Sequence, residues 1–151
     1  MTEASVGFLS PAALCSVLAA VALSAGCTSV SGADAMEEMR SCGGVLFPNT
    51  AEAVFSKGDL YFGGDRLIEV VADIPTADVE EFSAQSGFGT FRPGVPSAWK
   101  ATFWSESGLG EVLQEDSENA HFSESSLTPA RWVVLHSPDR EHVRVFVRTM
   151  C

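Results

Sequence analysis

The chain has 151 residues, 46% of them hydrophobic, and a formal net charge of -11. This length suits one domain with appended segments, and this apolar content is enough for a folded core. The acidity excludes a nucleic-acid-binding face, which needs clustered Lys and Arg, and it disfavours electrostatic docking on anionic lipid headgroups.

An uncharged, apolar run lies near the start of the chain. Residues 6–26 contain no charged side chain, and three small residues stand directly before Cys27. An apolar run closed by small residues is typical of a secretory signal. With a cysteine at the next position, the run resembles the signal of bacterial lipoproteins, in which the thiol receives a diacylglyceryl group and the preceding peptide bond is cut. The resemblance implies a signal peptide over residues 1–26 and lipidation at Cys27.

Three other interpretations of this run stay open. Ser24 stands where lipoprotein signals prefer Leu, and residues 1–26 contain Glu3 but no Lys or Arg. Because about 20 apolar residues can span a bilayer, the run could be retained as a single membrane anchor. It could also be an ordinary secretory signal, or a buried helix of a cytosolic protein.

The four cysteines are consistent with export. Cys15 would leave with the signal and Cys27 would carry the lipid, which leaves Cys42 and Cys151 near the two ends of the mature chain. We predict that these two form a disulfide, which requires an oxidising compartment and would stabilise the fold by about 4–5 kcal/mol in the chain-entropy model. The alternative is a pair of unpaired, buried thiols.

The next segment is small and polar over residues 28–35, which is typical of a tether. We therefore expect a flexible tether over residues 27–41, beginning with the lipidated cysteine, and a folded domain over residues 42–151.

Strand patterns follow at residues 52–55, 60–62 and 66–74. Gly63 and Gly64 separate the last two and suit the positive φ of a tight hairpin turn. In the last pattern, apolar side chains alternate with Glu69 and Asp73, which predicts a strand that is buried on one face only.

A helix is predicted from Thr76, as its N-cap, to Gly87, which ends it in the left-handed conformation. Three acidic residues lie near its start, where the helix dipole favours negative charge. Val79 and Phe82 lie on one side of it and would cover the sheet.

A long insertion occupies residues 88–124. Between Ala101 and Ala130 the sequence has six acidic residues and no Lys or Arg. We expect this insertion to be exposed and partly mobile, with Trp99, Phe103 and Trp104 as its buried anchors.

A second hairpin is predicted from residues 131–136 and 142–150, joined by a turn at Ser-Pro-Asp. In register, this hairpin would place five side chains on one face of the sheet: Trp132, His136, Arg144, Phe146 and Arg148. Because Trp, Phe and Arg are enriched at binding hot spots, we regard these residues as a candidate binding face. The alternative is that the face packs beneath the insertion, with its arginines neutralising Glu115 or Asp116.

The order of these elements predicts an α+β fold: a single small domain in which an antiparallel sheet carries one main helix packed on one face. The body also resembles small, uncharacterised actinobacterial surface lipoproteins over most of residues 46–148. The resemblance rests on LFPNTAEAVF, on ADIPTADVEEFSAQSGF, on the tryptophans at 99 and 104, and on the closing VRVFV. It implies no particular activity.

No motif for catalysis, a cofactor or a metal stands out in the sequence. His136 and His142 flank a turn with acids between them, which zinc could use, but a solvated turn is the simpler interpretation. We therefore predict a non-catalytic protein- or ligand-binding module, held by its lipid on the extracytoplasmic face of the cell membrane, where an envelope protein is its expected partner. The alternatives are an envelope hydrolase using His121 or His136 with an acidic residue, and a protein held by a single membrane span.

Overall fold

The computed structural model describes residues 30–61 and 63–151. The predicted signal peptide and the lipidation site at Cys27 lie outside these residues. The helices are α1 (Gly32–Gly43), α2 (Val79–Gln85) and α3 (Ser97–Thr102). The strands are β1 (Glu52–Leu60), β2 (Arg66–Pro75), β3 (Arg92–Pro93), β4 (Asn119–Glu124), β5 (Ala130–His136) and β6 (His142–Met150).

The six strands form one antiparallel sheet in the order β1-β2-β6-β5-β4-β3. The two predicted hairpins are present, and the last strand of the chain lies in the middle of the sheet between β2 and β5. Helices pack against the sheet, so the predicted α+β class and the single small domain are confirmed. More than one helix contributes, because the structure has helical segments on both faces of the sheet.

Helix α1 corrects the predicted tether. Most of the described part of residues 27–41 is helical, and the helix begins after Ser31, whose hydroxyl oxygen accepts a hydrogen bond from Asp34 N at 3.2 Å. Ala35 and Met39, one helical turn apart, are both 0% exposed. The small, polar composition that suggested a linker therefore belongs to an N-cap and to one side of an amphipathic helix.

The first hairpin differs from its prediction in two ways. Strand β1 is one strand of nine residues, with an irregularity in its register between Ala53 and Phe55. Strand β2 is buried on both faces rather than one, and even Glu69 is 5% exposed, because β2 lies between β1 and β6 with structure above and below it. The predicted turn is present, with φ of 106° at Gly63 and 95° at Gly64.

The predicted helix at residues 76–87 begins with a 3-10 turn over Thr76–Asp78 and continues as α2. Thr76 is not its N-cap, since it lies inside the 3-10 turn, and no side-chain cap is formed there. Phe82 is buried at 1% exposure against the sheet, and Gly87 has the expected left-handed φ of 64°.

Two hydrophobic cores lie on opposite sides of the sheet. The helix-side core joins α1 and α2 to the sheet through side chains that include Met39, Phe82 and Val145. The other core lies beneath residues 94–118, which we call the covering segment, and includes Trp99, Trp104 and Phe146. The insertion was expected to be exposed, but this part of it packs on the sheet. Trp99 and Trp104 are buried as expected, and Phe103 is partly buried.

A disulfide joins Cys42 to Cys151, as predicted, with the two Cα atoms 5.8 Å apart. It links the last turn of α1 to the residue that follows β6. Backbone hydrogen bonds between Arg66 and Cys151 pair the same residue with the start of β2. The disulfide therefore fixes α1 to the end of β6, which lies in the middle of the sheet.

Candidate functional site

The predicted register of the second hairpin is confirmed. Trp132 lies opposite Arg148, and His136 lies opposite Arg144. Phe146 lies opposite Val134 between these pairs, so all five residues of the predicted face share one side of the sheet.

This face is covered by the chain's own covering segment. Phe146 is 0% exposed and packs edge-on against the Trp104 ring, with the ring centroids 5.5 Å apart. His136 is 5% exposed. Neither side chain can therefore be the contact surface that the sequence suggested, whereas Trp132, Arg144 and Arg148 keep part of their surface at the edge of the cover.

The two arginines of this face bind carboxylates of β2 rather than the expected Glu115 or Asp116. Arg144 forms a two-pronged ion pair with Asp73 on the adjacent strand, with Nε and Nη2 2.7 and 2.8 Å from the two carboxylate oxygens. This pair raises the pKa of Arg144 further above its ordinary value. The expected partners lie elsewhere, since Asp116 pairs with Lys100 at 2.9 Å.

Arg148 belongs to a buried polar cluster with Glu69 and Trp104. Glu69 Oε1 accepts hydrogen bonds from Arg148 Nη1 at 2.7 Å and from the Trp104 backbone N at 3.2 Å. The guanidinium also lies over the Phe103 ring, 4.1 Å from its centroid. Trp104 has a φ of 53°, an unusual value for a residue with a side chain, and its indole N donates to Val147 O at 3.1 Å. The cluster therefore holds a strained turn of the covering segment on the sheet.

The buried histidine of this face is also held by polar contacts. His136 Nδ1 lies 3.2 Å from Asn119 Oδ1, and His136 Nε2 lies 4.0 Å from a Glu118 carboxylate oxygen. Burial lowers the pKa of His136 below its ordinary value; the Glu118 charge opposes this effect and the Arg144 charge adds to it. His142, across the turn, is exposed. Across residues 30–61 and 63–151, no group of three or more His, Cys, Asp or Glu side chains is arranged to hold a metal ion.

His121 lies beside a cleft. Its Nδ1 lies 2.8 Å from Gly94 O, which favours the tautomer with the proton on Nδ1. Its ring meets that of Trp99 edge-on, with the centroids 5.3 Å apart. The cleft has a volume of about 270 Å³ and is also lined by Arg92 and Ser123.

Two further clefts border residues 45–51, which connect α1 to β1, and no pattern in the sequence predicts them. One, of about 280 Å³, lies between this segment and α2. The other, of about 380 Å³, lies between the segment and α1. Phe47, Pro48 and Asn49 line both clefts, so these three residues form a ridge with a groove on each side.

Hydrogen bonds to the α2 region hold this ridge in place. Leu46 N donates to Ser86 Oγ at 2.9 Å, and Thr50 Oγ1 donates to Asp78 Oδ2 at 2.6 Å. The Phe47 ring packs on Phe82, with the centroids 5.4 Å apart. The ridge is therefore anchored on both sides of its tip, which pre-organises the two clefts.

Comparisons with protein-family models, with curated proteins and with solved structures find no match for this chain. No helix among the described residues is both long enough and apolar enough to cross a membrane. The assignment of a candidate site therefore rests on the geometry of the described residues alone.

The walls of the two clefts combine apolar and polar groups. The cleft beside α2 has Phe47 and Phe82 together with Asp78, Glu81 and Gln85. The cleft beside α1 has Met36 and Val45 together with Glu37 and Arg40. Such walls suit a ligand that inserts an apolar group and presents hydrogen-bond donors or a positive charge to the carboxylates of the cleft beside α2, since Glu37 in the other cleft is already paired with Arg40.

Proposed function

We propose that the protein is a lipid-anchored binding module on the extracytoplasmic face of the cell membrane. The observation that carries the proposal is the Cys42–Cys151 disulfide, which joins residues 109 positions apart in sequence. Such bonds form and persist in oxidising compartments outside the cytoplasm. The apolar run that ends at Cys27 supplies the means of export and the acyl attachment site.

The two clefts beside the Phe47–Asn49 ridge are the binding surface in this proposal. They are held in shape by hydrogen bonds at Leu46 and Thr50, and they combine aromatic walls with carboxylates. An envelope component with an apolar group beside an amine or amide would match them. The covered sheet face has a structural role instead.

Fractionation of cells tests the anchor. The wild-type protein should enter the detergent phase with the membranes, and Cys27→Ala should release it to the medium. Cys15→Ala is the matched control, because that cysteine leaves with the signal peptide and its loss should not change the distribution. A Cys27→Ala protein that has lost residues 1–26 and still stays with the membrane contradicts lipid anchoring.

Crosslinking in cells tests the clefts. A photo-reactive amino acid in place of Asn49 should give an adduct heavier than the chain, since Asn49 lines both clefts. The same amino acid in place of the exposed Arg140, in the turn of the second hairpin, is the control and should give none. Equal labelling at both positions, or none at position 49, contradicts this assignment of the binding surface.

One observation favours a second candidate function, that of a hydrolase. His121 and Ser123 lie on the same side of β4 and line one cleft, where His121 Nε2 would be free to accept a proton in the tautomer that Gly94 favours. A fluorophosphonate probe tests it. A binding module predicts no labelling, whereas labelling that Ser123→Ala and His121→Ala both abolish would establish the hydrolase.

A further inference from the structure

Large apolar side chains are exposed at one end of the sheet. Among the described residues, four large hydrophobic side chains are strongly exposed, and three of these are Leu60 at 75%, Tyr61 at 47% and Leu127 at 57%. Leu60 and Tyr61 lie at the turn between β1 and β2, and Leu127 lies in the loop between β4 and β5. Exposed apolar side chains that cluster in this way mark contact surfaces.

The strand pairing places both connections at the same end. Leu67, just after the first turn, pairs with Met150, and Met150 pairs with Ala130, just after the second loop. With strands about 4.8 Å apart, the two connections are about 14 Å from each other. They can therefore rest on one flat surface together.

The described chain begins beside the same part of the sheet. Ser56 Oγ of β1 donates to Val30 O at 2.6 Å. The Val30 side chain also covers Gly58, since a Cβ built at position 58 would lie 3.2 Å from Val30 Cγ2. Val30 is thus packed on the second half of β1, which ends at Leu60.

Chain length then limits how far the anchor can be from this end. Cys27 precedes Val30 by three residues, so their Cα atoms are no more than about 11 Å apart even in a fully extended chain. A lipid on Cys27 would consequently hold the bilayer surface close to β1. The short tether also raises the local concentration of that surface, so a modest apolar contact suffices for docking.

We propose that this end of the sheet docks on the bilayer that holds the lipid, with Leu60, Tyr61 and Leu127 in contact with the boundary between headgroups and acyl chains. The inference rests on the anchored function proposed above. It needs no basic patch, because the contact is apolar, and Tyr is a residue that favours this boundary.

Two charged pairs flank this end of the sheet, and Asp65, in the turn between β1 and β2, is exposed and would face the polar headgroups. Asp59 pairs with Lys57 at 2.7 Å, and Arg66 pairs with Glu38 at 2.8 Å. Residues 125–129 carry no charge. The clefts beside the Phe47–Asn49 ridge lie on the helix side of the sheet rather than at this end, so docking would leave them open to a partner.

Fluorescence quenching tests the docking. The full-length lipoprotein, purified from membranes, is reconstituted into phosphatidylcholine vesicles whose acyl chains are brominated. The added emission of Leu60→Trp and of Leu127→Trp should be quenched and blue-shifted. Arg140→Trp is the matched control, because it lies in the turn between β5 and β6 at the opposite end of the sheet, and its added emission should stay unquenched.

The same samples separate docking from anchoring. Intact mass reports whether Cys27 carries an acyl group. If the chain is acylated and all three positions are quenched alike, or none of them is quenched, the docking is overturned and the lipid anchor stands. If this end binds a protein partner instead of the bilayer, none of the three positions should be quenched. A chain without acyl mass on Cys27 overturns both. Leu60→Ser in the Leu127→Trp background should reduce the quenching, since the two connections touch the surface together.

Discussion

The face of the sheet beneath α1 and α2 is closed by aliphatic and phenylalanine side chains, one disulfide and an ion pair between β4 and β5, whereas the face beneath the covering segment is closed by tryptophans and by two ion pairs that join β6 to β2. On the helix side, β6 contributes Val143, Val145 and Val147 to the core. On the other side, the same strand contributes Arg144 and Arg148, which are paired with carboxylates of β2. One strand thus supplies three valines to one core, and supplies Phe146 together with two paired arginines to the other.

This difference follows from what covers each face. Helix α1 presents a regular apolar side and can be held by packing. The covering segment consists of α3 and short 3-10 turns, which present fewer apolar side chains in a regular pattern. Specific polar contacts add to its buried apolar anchors, such as Lys57 with Glu106 at 2.6 Å and Lys100 with Asp116 at 2.9 Å. The attachment of the covering segment should therefore be sensitive to pH and salt.

The largest expected effect comes from removing the disulfide of the helix side. Replacing both residues, with Cys42→Ser and Cys151→Ser, should lower the free energy of unfolding by about 4–5 kcal/mol in the chain-entropy model, since the closed loop is long. Urea unfolding with and without reductant measures it. Reductant should destabilise the wild type and leave the double variant unchanged. If the urea midpoint of the wild type is the same with and without reductant, the disulfide is contradicted.

The next largest effect should come from Trp104 in the covering segment. Trp104→Ala should cost about 3–5 kcal/mol, because it removes a wholly buried ring and its hydrogen bond to Val147 O. Trp104→Phe keeps most of the packing and should cost about 1–3 kcal/mol for the lost hydrogen bond to Val147 O and the smaller ring. Urea unfolding of the two variants checks the order, and a loss under about 1 kcal/mol for the alanine variant would mean that the segment is not held by this residue.

Breaking the ion pair of Glu69 and Arg148 should have a somewhat smaller effect. Glu69→Gln should cost about 2–3 kcal/mol, because it leaves a guanidinium that is largely buried without its counter-charge. Arg148→Met in the same chain removes that penalty, so the double variant should be more stable than Glu69→Gln alone. If the two single losses simply add, the pair is not coupled and the contrast between the two faces weakens.

The smallest effect is the pH dependence at His136. Because burial places its folded-state pKa below the ordinary value of about 6.5, the unfolded chain binds the proton first as pH falls. The free energy of unfolding is therefore undiminished above that pH and decreases as pH drops below it. Unfolding measured between pH 7 and 5 should show a shallower decrease for His136→Gln than for wild type.

The control for that measurement is His142→Gln. His142 is exposed at the other side of the same turn, so its replacement should leave the slope unchanged. Equal slopes for wild type and His136→Gln would show that the buried histidine does not couple protonation to folding.

The features that the sequence predicted well depend on local signals. The first hairpin was predicted from Gly63-Gly64, and the end of α2 from Gly87. The second hairpin was predicted from the alternation in β5 and β6. Each of these signals acts within a few residues. The disulfide was predicted because only two cysteines stayed unassigned in the mature chain.

The features that were missed depend on distant partners. Glu69 and Asp73 have the pattern of solvent-facing residues, and the arginines that pair with them lie 79 and 71 positions further along the chain. The clefts arise where the ridge meets two helices, which no local pattern encodes. Helix α1 did carry a signal, with Ala35 and Met39 spaced one turn apart after the cap at Ser31, but the small residues around them resembled a linker.

The most direct test is the intact mass of the protein extracted from cell membranes without reductant. The account predicts a chain that begins at Cys27, carries a diacylglyceryl group there, and offers no thiol to an alkylating reagent until reductant exposes Cys42 and Cys151. A chain that retains residues 1–26 without acylation, or whose two thiols react at once, would contradict it.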